Sequence, residues 1–367
     1  MRVSSFCYEF PSMKSKAPFA ILSDSYVDAE RVLDDKFEEL DPLVKRLLSS
    51  KPSMQGTYKK VFPRMSDNSV LVLEIGGAVF KTARQRLFDA LSNFDNRHGL
   101  LVPTQLLEYE FVVNLEPVYL LVSELSRCPV DLQMAFDGET SAHLSMSYDF
   151  LIKEMFKLSG IIFHLANDGL FFTDIKTENV LHCGDDLALI DLDSILMEED
   201  IVDGIVGAIS YPPARMFKAL YNLFSSEAAV NEDEQNELLF EFYRFYTVFA
   251  FSSMVFQLYW AKHKNVDVLI EPSQMLPSEK ELEAALSKHF PSYSEGNKSK
   301  HTILTLSWKM LKLVFSGPTL QEAREEIFLW NTPMNREINK QIRKEEKASA
   351  RREKLNKIKR TSSKLLF

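Results

Sequence analysis

The sequence predicts an α+β fold: a small antiparallel, strand-rich part with one helix, followed by a larger and mainly helical part. Two patterns predict it. Between Tyr58 and Glu124 apolar residues recur largely at every second position, and after Pro129 they recur at intervals of three and four. A third observation is bulk composition: 46% hydrophobic residues over 367 positions is ample for a sizeable core, and 27 Phe point to an aromatic-rich one.

Residues 1–55 read as an extension without chemistry, holding one helical piece, Asp28 to Leu48, which Pro42 bends or restarts. The strand-rich part, 56–128, begins with TYKKVFPRM, turns at Ser66-Asp67-Asn68, and continues with SVLVLEI. Gly76-Gly77 is the best hairpin signal in the chain, so AVFKTA is expected as a third strand ending near Lys81. A helix over Ala83 to Phe94 and two more strands, Gln105 to Asn114 and Val118 to Glu124, complete this part.

The helical part, 129–330, opens with a long amphipathic helix, Tyr148 to Asp168, leading into a short strand-rich block, Leu170 to Leu196. Further helices are expected at Leu238 to Lys262, Glu279 to Lys288, Thr302 to Phe315 and Leu320 to Trp330. The uncharged apolar run Phe245 to Ala261 is slightly short for a membrane span and carries Thr247, Ser252, Ser253 and Gln257, so it reads as a buried helix.

Cys7, Cys128 and Cys183 form no CxxC pair and their odd number gives no disulfide framework, which suits a reducing compartment, cytoplasmic or nuclear. The first residues lack the continuous apolar run of a secretory signal. The seven histidines are scattered, with no metal-ligand spacing. Residues 331–367 form a basic tail: positions 338–367 hold 11 Lys and Arg against 3 Glu, a local +8, which leaves −17 on the rest of a chain of net charge −9. Such a tail is either a solvated charge run or a contact to nucleic acid or another anionic surface.

The informative segment is FFTDIKTENVLHCGDDLALIDLDSI, residues 171–195. It sets Asp174, Lys176 and Asn179 on a loop and then an apolar strand that delivers Asp191. Phosphoryl transfer needs a carboxylate beside the attacking hydroxyl, a cation near the moving group, and oxygen ligands for a divalent metal. Turn residues and an alternating strand would give the same letters by chance.

DIKTEN resembles the D-x-K-x-x-N catalytic loop of eukaryotic-like protein kinases, and IDLD resembles the strand ending in their D-F-G. The resemblance spans roughly residues 56–330 and implies a bilobal kinase-like fold with ATP and Mg²⁺ as cofactors. By carry-over, Asp174 orients the substrate hydroxyl, Lys176 supports the γ-phosphate, and Asn179 and Asp191 hold magnesium. YLLVSELSRCPVDLQMAF is similar to the fifth kinase strand, hinge and following helix. It implies Ser123 as gatekeeper, Glu124 and Ser126 as backbone partners of adenine, and Asp131 near the ribose. AVFK resembles V-A-I-K and makes Lys81 the nucleotide-anchoring lysine; an alternative alignment sets LVLE there and puts Glu74 in its place.

GAISYPPARMF resembles the end of an activation segment. The pattern also departs from the family. No G-x-G-x-x-G precedes the strands, Phe172-Thr173 replaces the His-Arg before the catalytic Asp, Leu192-Asp193 follows Asp191, and Thr247 falls where the family's αF helix has its Asp. The resemblance implies an ATP- and Mg²⁺-dependent kinase acting on Ser or Thr of a protein substrate. A pseudokinase that binds partners, and a small-molecule kinase of related fold, are the alternatives.

Overall fold

In the computed structural model, residues 38, 40–52, 54–55, 59–63, 69–92, 99–113, 116–126, 146–183, 186–202, 214–225, 231–265, 276–290 and 302–330 are described. Asp131, the segment 203–213 and the basic tail 331–367 lie outside them. The chain is α+β, a small antiparallel sheet followed by a mostly helical remainder.

Helix α1, Pro42–Leu48, starts where the proline was expected to restart it: Pro occupies the first turn, where no intrahelical donor is needed, and the Asp41 side chain accepts from Leu43 N. Its apolar side is not a bystander. Leu40, Val44 and Leu47 are buried against Phe62, Leu71, Leu73, Ile75, Val118, Leu120 and Val122, so this piece of the presumed extension completes the core of the sheet.

The sheet comprises β1 (Met54–Gln55), β2 (Lys59–Pro63), β3 (Ser69–Gly77), β4 (Thr104–Val113) and β5 (Glu116–Ser126) in the order β1-β2-β3-β5-β4. Every neighbouring pair is antiparallel. The expected hairpin at Gly76-Gly77 is absent. Both glycines continue β3, opposite Tyr119 and Val118 of β5, and helix α2, Ala78–Ser92, begins at the next residue. Good helix formers from Ala83 on (Ala83, Arg84, Gln85, Arg86, Leu87), with Leu87 and Leu91 buried on one side, carry the helix back through AVFKTA and outweigh its short period-two reading. The sheet still has five strands, the fifth being the short edge strand β1 beside β2, while β3 pairs directly with β5.

The helical part follows the expected order closely. Helix α3, Tyr148–Asn167, is capped by the Ser147 side chain and ends before Gly169, whose φ of 74° lets the chain turn into β6, Leu170–Phe172. Two short hairpin-like pairs follow, β7 (Val180–Cys183) with β8 (Asp186–Leu189), and β6 with β9 (Ile195–Met197). Then come α4 (Glu198–Val202), α5 (Ala214–Ser225), α6 (Glu232–Lys264), α7 (Glu279–His289), α8 (Thr302–Ser316) and α9 over 320–330.

The 33-residue α6 is the axis of the second core, with Phe242, Phe245, Tyr246, Phe249, Phe251 and Phe256 all fully buried. The run Phe245–Ala261 is buried throughout, and no helix among the described residues is long and apolar enough to cross a membrane. Helix α2 ties the two parts together: Leu87 and Leu91 enter the core around α6, and Arg86 Nη2 reaches Asp200 Oδ1 of α4 at 3.1 Å.

Candidate active site

The loop after β6 and the turn after β8 face one another because β6 pairs with β9 on either side of them. Phe172 is opposite Ile195 in that pair. Thr173 N and Thr173 Oγ1 both donate to Ser194 O, at 3.3 and 2.8 Å. Residues 173 and 194 are thus pinned, and everything between them is a closed loop carrying Asp174, Lys176, Asn179 and Asp191.

Within that loop Asp174 is the hub. Lys176 Nζ donates to Asp174 Oδ2 at 2.6 Å, and Asn179 Nδ2 donates to the same oxygen at 3.1 Å and to Asp174 O at 2.8 Å. A 3₁₀ turn, Thr177–Asn179, brings Asn179 back over Asp174, and Ile190 N donates to Asn179 O at 2.9 Å, which fixes the approach to Asp191. Asp191 has φ 60° and ψ 47°, a left-handed conformation that costs a non-glycine residue about 1 kcal/mol or more. Ser194 answers it from the following 3₁₀ turn, with N and Oγ both donating to Asp191 O at 3.3 and 3.0 Å.

The loop rests on α6. Tyr246 Oη donates to Thr173 O at 3.2 Å and Thr247 Oγ1 to Phe172 O at 3.4 Å, both inside the core. Thr247 therefore supports the loop backbone through its hydroxyl.

From the sheet side comes a set of charges. Lys59 of β2 contacts both Asp191 Oδ1 and Asp193 Oδ2, and its ammonium lies 4.0 Å from Glu74 Oε1. Lys59 and Glu74 are direct cross-strand partners, so their side chains leave the same face of the sheet. Arg84 of α2 approaches Glu74 Oε2 at 2.7 Å, as an ion pair off the hydrogen-bonding direction, and donates to Ser123 Oγ at 2.7 Å. Burial pushes the Glu74 carboxyl up to about 7, Asp193 pushes the same way, and Arg84 and Lys59 pull it back.

Lys81 is not part of this set. It stands on α2, not on a strand, where it pairs with Glu108 of β4 and lies 4.2 Å from the Tyr119 ring centre. Glu108 in turn is drawn down by its hydrogen bond from Lys81. The physical reason is the missing hairpin: once Gly76-Gly77 stays in β3, the residue facing the loop is Glu74. Glu124 is also placed otherwise than expected. It lies inside β5 with Leu71 of β3 on one side and Thr104 of β4 on the other, so its backbone groups face strand neighbours, while Ser126 ends the strand opposite Ser69. Ser123 is fully buried and bound to Arg84. Asp131 falls outside the described residues.

No protein-family model and no curated protein matches this chain.

Lys59 and Arg84 went unnoticed in the sequence, although one signal pointed at them. SVLVLEI is buried along its whole length, and a carboxylate in such a strand requires cations beside it. Two of the scattered histidines meet in the fold: His263 and His289 are 2.8 Å apart across α6 and α7, with Tyr148 stacked on His289. Among the described residues no group of three or more His, Cys, Asp or Glu side chains is arranged to hold a metal ion.

Proposed function

We propose that this chain is a divergent protein kinase, transferring the γ-phosphoryl of ATP to a Ser or Thr hydroxyl of a protein, on a bilobal kinase-like fold. The observation that carries the reading is the hydrogen-bonded cluster of Asp174, Lys176 and Asn179, joined through Ile190 to Asp191. These are the four residues the sequence resemblance assigns to phosphoryl transfer, and two helix hydroxyls hold their loop in place.

The donor set fits a hard divalent cation. Asn179 spends its amide nitrogen on Asp174, which leaves its oxygen as the ligand end, and Asp191, whose Oδ1 is paired with Lys59, offers its other carboxylate oxygen from a side chain 35% exposed. Asn179 and Asp191 would hold Mg²⁺, which when bound supplies charge neutralisation at the phosphates.

The chain's own groups then have separate tasks. Asp174 Oδ2 is held by Lys176 and Asn179, so Oδ1 is the atom turned to the acceptor hydroxyl, orienting it and taking its proton. Lys176, two residues from the base, is placed to carry charge to the transferred phosphoryl. The γ-phosphorus–oxygen bond to ADP breaks as the bond to the acceptor oxygen forms.

The test is transfer of labelled phosphate from Mg-ATP to protein acceptors by purified wild type, Asp174→Asn and Asp191→Ala. Transfer by the wild type with a loss of at least about 100-fold in both variants is expected for general-base and metal-ligand positions. Folded wild type that binds Mg-ATP without transfer to protein, sugar or lipid hydroxyls makes the chain a pseudokinase.

A further inference from the structure

We infer that Lys59, on β2, is the nucleotide-anchoring cation of this chain, held in place by a charge-reversed pair in which the strand β3 supplies the acid, Glu74, and the helix α2 supplies the base, Arg84. The inference rests on the proposed function and assigns a residue that the sequence resemblance had placed at Lys81.

Three observations carry it. First, Lys59 alone of the two candidates reaches the loop: it contacts Asp191 and Asp193, whereas Lys81 is engaged with Glu108 and Tyr119 on the same face but toward the β4 edge of the sheet. A cation that steadies phosphates beside a metal-binding carboxylate has to lie next to that carboxylate. Second, the Lys59 side chain is 19% exposed, so its charge acts in a partly desolvated cleft and yet stays reachable from solvent.

Third, its surroundings are built around it. The two oxygens of Glu74 are divided: Oε2 faces Arg84 at 2.7 Å and Oε1 faces Lys59 at 4.0 Å. Arg84 is in turn fixed by Ser123 Oγ at 2.7 Å and lies over the Phe88 ring at 4.3 Å. Signs alternate along the row from Arg84 through Glu74 and Lys59 to Asp191 and Asp193. A bare Glu74 facing Asp193 would repel it; Lys59 standing between them removes that conflict and is itself oriented by both. Because Lys59 and Glu74 are cross-strand partners, the ammonium leaves β2 at the level where a lysine at position 74 of β3 would stand. Arg84 and Glu74 are positioning residues; Lys59 is the one that meets phosphate.

A lysine-reactive acyl-phosphate derivative of ATP tests this directly on the wild-type chain, with the labelled lysine mapped by mass spectrometry and unmodified Mg-ATP as competitor. Competed labelling at Lys59 is expected, with none at Lys81. Equilibrium binding of a fluorescent ATP analogue to Lys59→Met and Lys81→Met, both checked for an unchanged melting transition, accompanies it. Lys59→Met should weaken binding at least about tenfold, the effect of losing one charge-assisted phosphate contact, and Lys81→Met should leave it unchanged. The triple variant Lys59→Met, Glu74→Lys, Arg84→Glu, which moves the cation one strand over, should regain binding relative to Lys59→Met. Labelling at Lys81, labelling at neither lysine, or full binding by Lys59→Met overturns the inference. Binding and labelling at Lys59 without phosphate transfer leaves it standing and removes the kinase reading instead.

Discussion

Arg84→Met is the change whose consequence can be worked furthest from the structure. The substitution keeps an unbranched apolar stem and removes the guanidinium together with its contact over the Phe88 ring, leaving Glu74, 2% exposed, with Asp193 as a neighbour of like charge and Ser123 without its donor. Breaking a buried ion pair on one side costs about 3–5 kcal/mol, which for a chain of this size lowers Tm by roughly 4–7 °C.

The cost depends on pH in a stated direction. Glu74 is held above its ordinary 4.5, so its neutral form is the one the fold favours, and the stability it contributes is present below pH 4.5 and lost as pH rises through about 7. Arg84 is the largest influence pulling Glu74 down, and without it the carboxyl moves higher still. At pH 8.5 the wild type has a charged Glu74 between Arg84 and Lys59, whereas the variant has either a charge left with Lys59 alone at 4.0 Å or a proton taken up at cost. At pH 6 the carboxyl is largely neutral in both. Urea denaturation at the two values, with Glu74→Gln/Arg84→Met as the second arm of the cycle, should show a large destabilisation at pH 8.5, a clearly smaller one at pH 6, and partial recovery in the double variant. A loss below about 1 kcal/mol at pH 8.5, the level of a surface pair, or the same loss at both pH values, refutes the account of a buried, cation-dependent acid on β3.

Tyr246→Phe removes one buried hydrogen bond to the loop backbone at Thr173 and should cost about 1–2 kcal/mol, with kcat falling more than KM changes in the transfer assay. Gly169→Ala meets a positive φ of 74° and Glu198 side-chain atoms 2.9 Å from the added carbon; thermal melting should show a loss of about 1–2 kcal/mol. The His263–His289 pair works opposite to Glu74. Burial and the charges of His289, Lys264 and Lys288 push His263 down to about 4, so its contribution is present above pH 6.5 and lost as pH falls toward 4. Denaturation between pH 7 and pH 4.5 should show a flatter acid limb for His263→Phe than for the wild type.

The sequence by itself determined the elements whose periodicity is long or whose chemistry is local. The helices α3, α6, α7 and α8 lie within a few residues of their expected positions, because each carries many turns of consistent apolar spacing and several carry cap residues, Ser147, Asn231 and Ser278. The cluster of Asp174, Lys176 and Asn179 was legible for the same reason: three residues within six positions fold onto each other through one 3₁₀ turn. Tertiary structure alone decided the rest. AVFKTA could be read with period two or as the first turns of a helix; β3 pairing with β5 through Gly77 settles it as helix and takes Lys81 out of the site. Lys59 stands 132 positions from Asp191 in the chain, and what brings it there is the register of β2 on β3, while the packing of α2 over that strand sets Arg84 against Glu74. Such contacts follow from which residues oppose one another across strands, and a linear pattern carries the spacing along a strand but not its partner.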